Sequence, residues 1–329
     1  LGSAGISVII PNYNGRTLLE QILPSLEAAL HQSGKPYEII VSDDCSTDDS
    51  VIFLQTAYPA VKVILAERNK GFSPTINRGV FAASYGYLLL LNSDVKLTPT
   101  YFDGLFRYFE REDTFGVMGR IVGWEDEIIQ DGAKYPSYHG AKIKTSGNYI
   151  PLEPGLHDWL YSMYLSGANA FVSREKMLKL GGFDELFAPF YVEDYELSLR
   201  AWRLGWKCYY HHDAVCRHRV SVSIRSKNSK NFINSIYYRN KMYLHAMHLT
   251  GIQLFIWYLQ LFPETLIRVL TGRFYYLKAV RIFLQTRKKM KKSVDSFSSL
   301  GKRTGTMLSV KQVVQKITAD LAHKKIKRF

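Results

Sequence analysis

Three clusters hold the residues best able to do chemistry in this chain: Asp43-Asp44, Asn92-Ser93-Asp94 and Glu193-Asp194. The first two directly follow apolar runs, Tyr37-Glu-Ile-Ile-Val41 and Tyr87-Leu-Leu-Leu-Leu91. A carboxylate in such a place can hold a divalent cation and, through it, a diphosphate, or accept hydrogen bonds from a base or ribose. Each run alone reads equally well as a surface turn after a core strand. Two acidic strand ends on one edge of a parallel sheet point more firmly to a ligand, because such sheets bind outside the carboxyl ends of their strands. The third cluster stands at a predicted helix start. There a carboxylate is either a partner for the helix dipole or a general base for a hydroxyl that must lose its proton. The sequence has neither GxGxxG nor GxxxxGK[ST], which disfavours dinucleotide oxidoreductases and P-loop NTPases. Carboxylates with a metal suit a nucleotide diphosphate instead.

The elements that must position these clusters follow from hydrophobic periodicity. Ile6 to Ile10 is a β-branched run closed by Pro11, and Asn12-Tyr-Asn-Gly15 is turn chemistry before a helical pattern from Leu18 to Leu30. Ser46-Thr-Asp-Asp49 is expected to cap a helix through Tyr58, Val61 to Leu65 is a strand, and Pro74 to Tyr85 a helix. Alternating strands and helices at this spacing predict βαβ units: an α/β class, with a mostly parallel sheet flanked by helices. Beyond Asp94, Thr98 and Pro99 predict a capped helix over Thr100 to Arg111, followed by a strand from Phe115 to Gly119. Gly123 to His157 loses periodicity, and this long stretch reads as a binding or lid region whose aromatics Trp124, Tyr135 and Tyr138, with Trp159 just beyond it, could stack on a ligand. Ser166 to Val172 is small residues leading into a strand, and Ser173 caps a helix to Leu180 that ends at Gly181-Gly182. Glu193-Asp194 opens a helix through Leu204 on which Glu196 and Arg200 pair at i,i+4, and Lys207 to His211 is a strand. Cys208, His211, His212, Cys216 and His218 do not make a zinc site, because a strand sends neighbours to opposite faces.

The motifs Ser7-Val-Ile-Ile-Pro-Asn-Tyr-Asn14, Glu38-Ile-Ile-Val-Ser-Asp-Asp44, Asn69-Lys-Gly-Phe72 and Asn77-Arg-Gly79, in this order, resemble glycosyltransferase family 2 over about residues 5–220. Asn92-Ser93-Asp94 takes the place of that family's DxD motif. The resemblance implies the GT-A fold, a nucleotide-sugar donor carried on UDP, dTDP or GDP, a divalent cation (Mg²⁺ or Mn²⁺) and inversion at the anomeric carbon. It implies donor contacts from Pro11, Asn12, Tyr13 and Asn14, from Asp43 and Asp44, and from Asn69, Gly71, Asn77, Asn92 and Ser93. Asn92 replaces the first aspartate, so Asp94 is the implied carboxylate ligand of the metal, with His218 as a second ligand. The family's base falls on Asp194, and Glu193, Gly167 and Ala168 fall on the acceptor side. The variant motif resembles the rhamnosyltransferase-like branch of bacterial surface polysaccharide synthesis, whose acceptors are glycans or lipid-linked glycans.

Charge divides the chain. Residues 1–216 carry 19 Lys and Arg against 26 Asp and Glu, whereas residues 217–329 carry 24 against 3. The basic part, expected to be helical over 231–249, 252–270, 275–290 and 310–326, mixes aromatics and leucines with Arg and Lys. No run in it is long and apolar enough to span a bilayer, but the mixture suits helices lying in the interface, with Arg287 to Lys292 on acidic headgroups. A helical extension packed on the first part is the other reading, and Ser293 to Leu308 reads as a flexible linker. The division is therefore a catalytic domain over 1–220 (donor half about 5–100, acceptor half about 100–220) and a basic, membrane-associating or self-associating region over 221–329. Nucleic acid is not an expected partner, since no recognition motif accompanies the charge. Three cysteines without a CxxC spacing argue against a disulfide framework and for a reducing compartment. The opening Leu-Gly-Ser-Ala-Gly shows no secretory leader and is left out of the fold reasoning. The expectation is an inverting enzyme at the cytoplasmic face of a bacterial membrane. A nucleotide-sugar hydrolase or nucleotidyltransferase, or a non-catalytic membrane adaptor on the same fold, stand as alternatives.

Overall fold

The computed structural model describes residues 4–153, 159–219 and 229–329. The end of the Gly123–His157 stretch and the expected boundary at residue 220 lie outside the described residues.

The first half is a wound sheet. Strands β1 (Ile6–Asn12), β2 (Tyr37–Asp43), β3 (Lys62–Leu65) and β4 (Tyr87–Leu91) alternate with helices α1 (Arg16–Gln32), α2 (Ser50–Ala57) and α3 (Phe72–Ala82). They align in the order β3-β2-β1-β4, all parallel. Leu88 to Leu91 and Val8 to Ile10 are fully buried, because a parallel strand covered by helices has no solvent face. The register of β1 places Asn12 opposite Asp43, which fixes both at one edge.

The second half extends the same sheet. After the short strand β5 (Val95–Leu97) come β6 (Thr114–Gly123), β7 (Ile129–Asp131), β8 (Ala133–His139), β9 (Lys142–Pro151) and β10 (Leu160–Tyr161). Strand β11 (Asn169–Ser173), helix α4 (Arg174–Lys179), helix α5 (Glu193–Arg203) and strand β12 (Lys207–His218) follow. Strand β11 lies antiparallel between β4 and β6, and β12 is parallel to β6 with a bulge between His211 and Val215. Ser173 caps α4 as expected, its side chain accepting from the Lys176 N–H.

Three local expectations change. Thr100 to Arg111 forms turns and a short 3₁₀ segment at Phe106–Glu110 rather than an α-helix. Gly104 sits at φ +75°, outside helical space, and Thr98 donates its hydroxyl to the Val215 carbonyl (2.8 Å) instead of capping. The cap of α2 comes from one residue of the Ser46–Asp49 run: Asp48 Oδ1 accepts from the Ser50 N–H (3.1 Å), Asp49 stands at the N-cap without a side-chain bond, and Ser46 bonds Asp43. The stretch from Gly123 is not irregular, since β8 and β9 make an antiparallel hairpin. Its Pro136 sits at a register shift, where the missing N–H breaks no regular ladder.

The basic third is helical: α6 (Lys230–His248), α7 (Gly251–Leu270), α8 (Phe274–Gln285), α9 (Arg287–Thr304) and α10 (Val310–Leu321), then strand β13 (Ile326–Arg328). The expected linker from Ser293 is helix through Thr304, and it packs Val294, Phe297 and Leu300 against the core. The chain's last strand pairs with β9, so three strands form a small second sheet. Among the described residues no helix is long and apolar enough to cross a membrane.

Candidate active site

The loops after β1 and β2 make one hydrogen-bonded unit. Asn12 donates from Nδ2 to Asp43 Oδ2 (2.8 Å), and Asp43 also accepts from the Ser46 N–H (2.8 Å) and hydroxyl (2.6 Å). Asn14, at φ 53°, accepts from the Thr47 N–H on Oδ1 (2.7 Å). Beside them Tyr13 is exposed, and the buried Oδ1 of Asn12 has no protein donor. Asp44 is buried and accepts from the N–H groups of Lys70 (3.0 Å) and Gly71 (2.8 Å) and from Arg78 (3.3 Å). It thereby shapes the Asn69–Gly71 loop, of which Asn69 stays exposed. Gly71 has φ +88°, and a Cβ there would meet Pro189 Cα at 2.5 Å, so the loop closes tightly on the segment leading to Glu193. Asn77 is occupied elsewhere. Its amide accepts from the Phe183 N–H (2.8 Å) and donates to the Phe183 carbonyl (2.9 Å), which fastens the turn after α4 to α3.

The end of β4 carries Asn92, Ser93 and Asp94. Asp94 Oδ1 is buried without a hydrogen-bond partner, and Oδ2 lies 3.6 Å from His218 Nε2. The other ring nitrogen, Nδ1, is 3.0 Å from Gln130 Oε1 on β7. With that amide oxygen as the acceptor Nδ1 would donate, which leaves Nε2 facing Asp94 as a ligand atom of the neutral ring. An orphaned carboxylate oxygen beside an imidazole nitrogen fits a divalent cation. Among the described residues no group of three or more His, Cys, Asp or Glu surrounds one point, so these two ligands would need a phosphate and water to complete the shell.

Asp194 joins this edge through the backbone. Asn92 N–H donates to the Ala168 carbonyl (3.2 Å), and the neighbouring Gly167 N–H donates to Asp194 Oδ2 (3.4 Å). Asp194 Oδ1 accepts from the Tyr195 N–H (2.7 Å). Burial raises the Asp194 carboxyl above its ordinary range, against these two N–H groups and the Lys134 ammonium. Burial and the neighbouring Asp194 push Glu193 up to about 8, and its Oε2 has no partner. The backbone that aims this pair is strained, with Tyr191 at φ 76° and the β-branched Val192 at φ 74°.

The restraint on that strained segment comes from residues that local sequence patterns do not single out. Asn240, fully buried on α6, donates from Nδ2 to the carbonyls of Phe187 (2.7 Å), Phe190 (3.0 Å) and Tyr191 (2.8 Å). Its Oδ1 accepts two bonds from Arg239, which also donates to the Ala188 carbonyl (2.5 Å). The Glu196–Arg200 pair forms as expected (2.8 Å), but it is buried, and His248 of α6 reaches Glu196 (3.2 Å). Of the four aromatics around the Gly123 stretch, Trp124, Tyr135 and Trp159 lie under Lys96, Arg328 and Arg111, at 4.0, 3.4 and 3.9 Å. Only Tyr138 of the four is exposed.

Comparison with known proteins bears on the family and the fold. The family description "Glycosyl transferase family 2" matches residues 7–176, more than half of the chain. An N-acetylglucosaminyl-diphospho-decaprenol L-rhamnosyltransferase of Mycobacterium tuberculosis is 26% identical over 240 residues, covering 66% of this chain and 77% of that one. The amylovoran biosynthesis glycosyltransferase AmsB of Erwinia amylovora is 28% identical over 214 residues, covering 61% and 65%. Among solved structures, GalNAc-T7 with UDP, GalNAc and Mn²⁺ superposes with a TM-score of 0.66 at 16% identity, covering 98% of this chain and 58% of that one. That likeness establishes the GT-A fold.

Proposed function

From the premise that the chain belongs to glycosyltransferase family 2, we propose that it transfers a sugar with inversion from a nucleotide-diphospho-sugar to a hydroxyl of a lipid-linked glycan in bacterial surface polysaccharide synthesis. The observation that carries this reading is the pair of backbone bonds, Asn92 N–H to the Ala168 carbonyl and Gly167 N–H to Asp194, that ties the turn carrying Asp94 to the start of α5. That tie supports the reading by bringing Asp94, the carboxylate we assign to the metal, and the raised Asp194 carboxyl to one edge of the sheet.

In this reading the nucleotide lies over Pro11–Asn14 and the Asp43 turn, where the buried Asn12 Oδ1 is a free acceptor. Asp94 and His218 would hold Mg²⁺ or Mn²⁺, and a cation bound there would supply positive charge to a leaving diphosphate. Asp194 accepts the acceptor hydroxyl's proton as that oxygen bonds the anomeric carbon and the carbon–phosphate oxygen bond breaks. Glu193 stays protonated near neutral pH and so serves as a donor that orients the acceptor. The relatives named for a decaprenyl-linked substrate and for amylovoran support the acceptor class, and the UDP and Mn²⁺ complex supports the donor and cation.

The test is a thermal-shift panel of UDP-, dTDP- and GDP-sugars with and without Mn²⁺, since a ligand bound only by the folded state raises its melting temperature. One donor is expected to stabilise the protein in a Mn²⁺-dependent way, and Asp94→Ala to abolish that dependence. A donor-induced rise indifferent both to EDTA and to Asp94→Ala sinks the metal assignment.

We also propose attachment to the inner face of the membrane, with residues 221–329 as the attaching region. Helix α7 turns Ile252, Phe255, Leu259, Phe262, Leu266 and Leu270 outward at helical spacing while Trp257 and Leu261 are buried, and Arg287 to Lys289 are exposed nearby in sequence on α9. Leu259→Glu/Phe262→Glu is expected to lose cosedimentation with phosphatidylglycerol vesicles, and unchanged cosedimentation counts against that surface.

A further inference from the structure

A cavity of about 580 Å³ opens between the β8–β9 hairpin and helices α6, α7 and α8. Its walls carry five cationic side chains, Lys142, Lys144, Lys241, Arg268 and Arg273, against one carboxylate, Glu264. Lys142 and Arg268 both pair with Glu264. Even so, burial and the neighbouring Arg268, Lys144 and Lys241 push the half-buried Lys142 ammonium down to about 8. One carboxylate does not balance this wall. Such a surplus of cations on a concave, half-enclosed surface calls for a multiply charged anion, because each added N–H bond to phosphate is charge-assisted.

The cavity is built rather than adventitious. The hairpin tip is fastened to α7 by Gln260, whose Oε1 accepts from the Ala141 N–H (3.1 Å), and by Gln253, whose Nε2 donates to the Ala141 carbonyl (3.3 Å). His245, buried and pushed down to about 4 by that burial, stacks on Trp257 and bonds the Ile143 carbonyl (3.2 Å). Tyr238 and Tyr276 hold Arg268 by cation–π contact at 4.4 and 4.6 Å.

Its two neighbours specify the rest of the ligand. Tyr237, which lines the cavity, has its ring 6.1 Å from that of Tyr191, three residues before Asp194. Ile267, which also lines it, is 61% exposed and continues the outward apolar surface of α7 formed by Leu259, Leu266 and Leu270. The cationic cavity therefore lies between the base and an exposed hydrocarbon-like surface.

We propose that this cavity binds the phosphate or diphosphate of a lipid-linked acceptor, whose hydrocarbon chain leaves along α7 while its sugar reaches toward Asp194. The inference rests on the glycosyltransferase reading for its account of the sugar, and it adds the site that recognises the lipid phosphate.

Isothermal titration of the full chain with farnesyl diphosphate, inorganic pyrophosphate and farnesol tests it. Farnesyl diphosphate is expected to bind at least tenfold more tightly than pyrophosphate, and farnesol to give no measurable binding. Lys144→Gln/Lys241→Gln is expected to weaken farnesyl diphosphate at least tenfold. Glu264→Gln, which removes the one opposing charge, is expected to tighten it several-fold, an outcome that damage to the fold does not produce. Pyrophosphate binding as tightly as farnesyl diphosphate overturns the lipid ligand and leaves a free-phosphate site. Farnesol binding as tightly, no binding at all, or wild-type affinity in all the variants overturns the phosphate site. A donor-induced rise in melting temperature measured on the same samples separates the two readings. If it is present without farnesyl diphosphate binding, the cavity assignment fails and the transferase reading stands. If it is absent while farnesyl diphosphate binds as described, the cavity assignment stands and the donor reading fails.

Discussion

The proposed donor edge and the proposed base pair are both built from buried carboxylates, yet they are held differently. Asp43 and Asp44 are each satisfied by donors in the β1, β2 and α3 segments, within 35 residues of them in the chain. Glu193 and Asp194 sit on a strained backbone, with an unpartnered oxygen on Glu193 and raised carboxyl pKa values on both. Asp194 accepts from the backbone N–H groups of Gly167 and Tyr195, and the strained segment before it is restrained from farther along the chain by Asn240 on α6. A satisfied carboxylate makes a rigid floor for a ligand that only has to be bound. A desolvated one is a better proton acceptor near neutral pH, at the cost of needing outside support.

The sharpest way to break this contrast is Asp194→Asn. It removes the proposed base and leaves the proposed donor edge intact, so turnover is expected to fall by about 10²–10⁴-fold while the donor-induced rise in melting temperature is unchanged. In the wild type the raised Asp194 carboxyl must lose its proton before it can act, so kcat/KM should rise with pH through a limb above the ordinary carboxylate range. Equal losses of donor binding and turnover in the variant, or an acid limb at the ordinary aspartate value, contradict the division of labour.

A smaller effect is expected from the remote support. Asn240→Leu leaves the carbonyls of Phe187, Phe190 and Tyr191 without their buried donor, at a cost of about 1–3 kcal/mol for each group that finds no substitute. With that clamp gone, Tyr191 and Val192 are free to leave positive φ, and the base moves from its aim. We expect kcat to fall by about 10–100-fold with the donor KM unchanged. Asn240→Gln, which keeps a donor, is expected to restore part of it. A loss in melting temperature alone, with kcat preserved, makes Asn240 a packing residue and nothing more.

The same contrast decides what can be read from the sequence. The parallel strands and their acidic ends are legible because their signals are local: a β-branched or leucine run, then a polar turn, repeated at regular spacing. Asp94 and His218 are legible by family resemblance, and the structure brings them to 3.6 Å. The clamp is not, because Asn240 sits inside an ordinary helical pattern 46 residues past Asp194 and its partners are carbonyls, which no side-chain motif records. The β8–β9 hairpin is hidden by a Pro at a register shift and by polar residues on its open face. The 3₁₀ segment near Phe106 is hidden because Gly104 interrupts a pattern whose apolar spacing is otherwise helical.

The least dramatic prediction concerns stability and separates the two regions by pH. The Glu193 carboxyl rises from 4.5 to about 8 on folding, chiefly by burial, so between those values the folded protein holds a proton that the unfolded chain has released. Stability therefore declines as pH rises through that window, and the full penalty persists above it. Glu193→Gln never ionises and escapes the decline. Its melting temperature relative to wild type is expected to change little near pH 4.5 and to gain several degrees by pH 8.5, since each tenfold difference in proton affinity between the folded and unfolded chain corresponds to about 1.4 kcal/mol. Asp43→Asn removes acceptor oxygen from the Asn12 and Ser46 donors and is expected to destabilise across the same range without a matching gain at high pH. Parallel behaviour of the two variants would mean that burial without compensation is not what distinguishes the base pair from the donor edge.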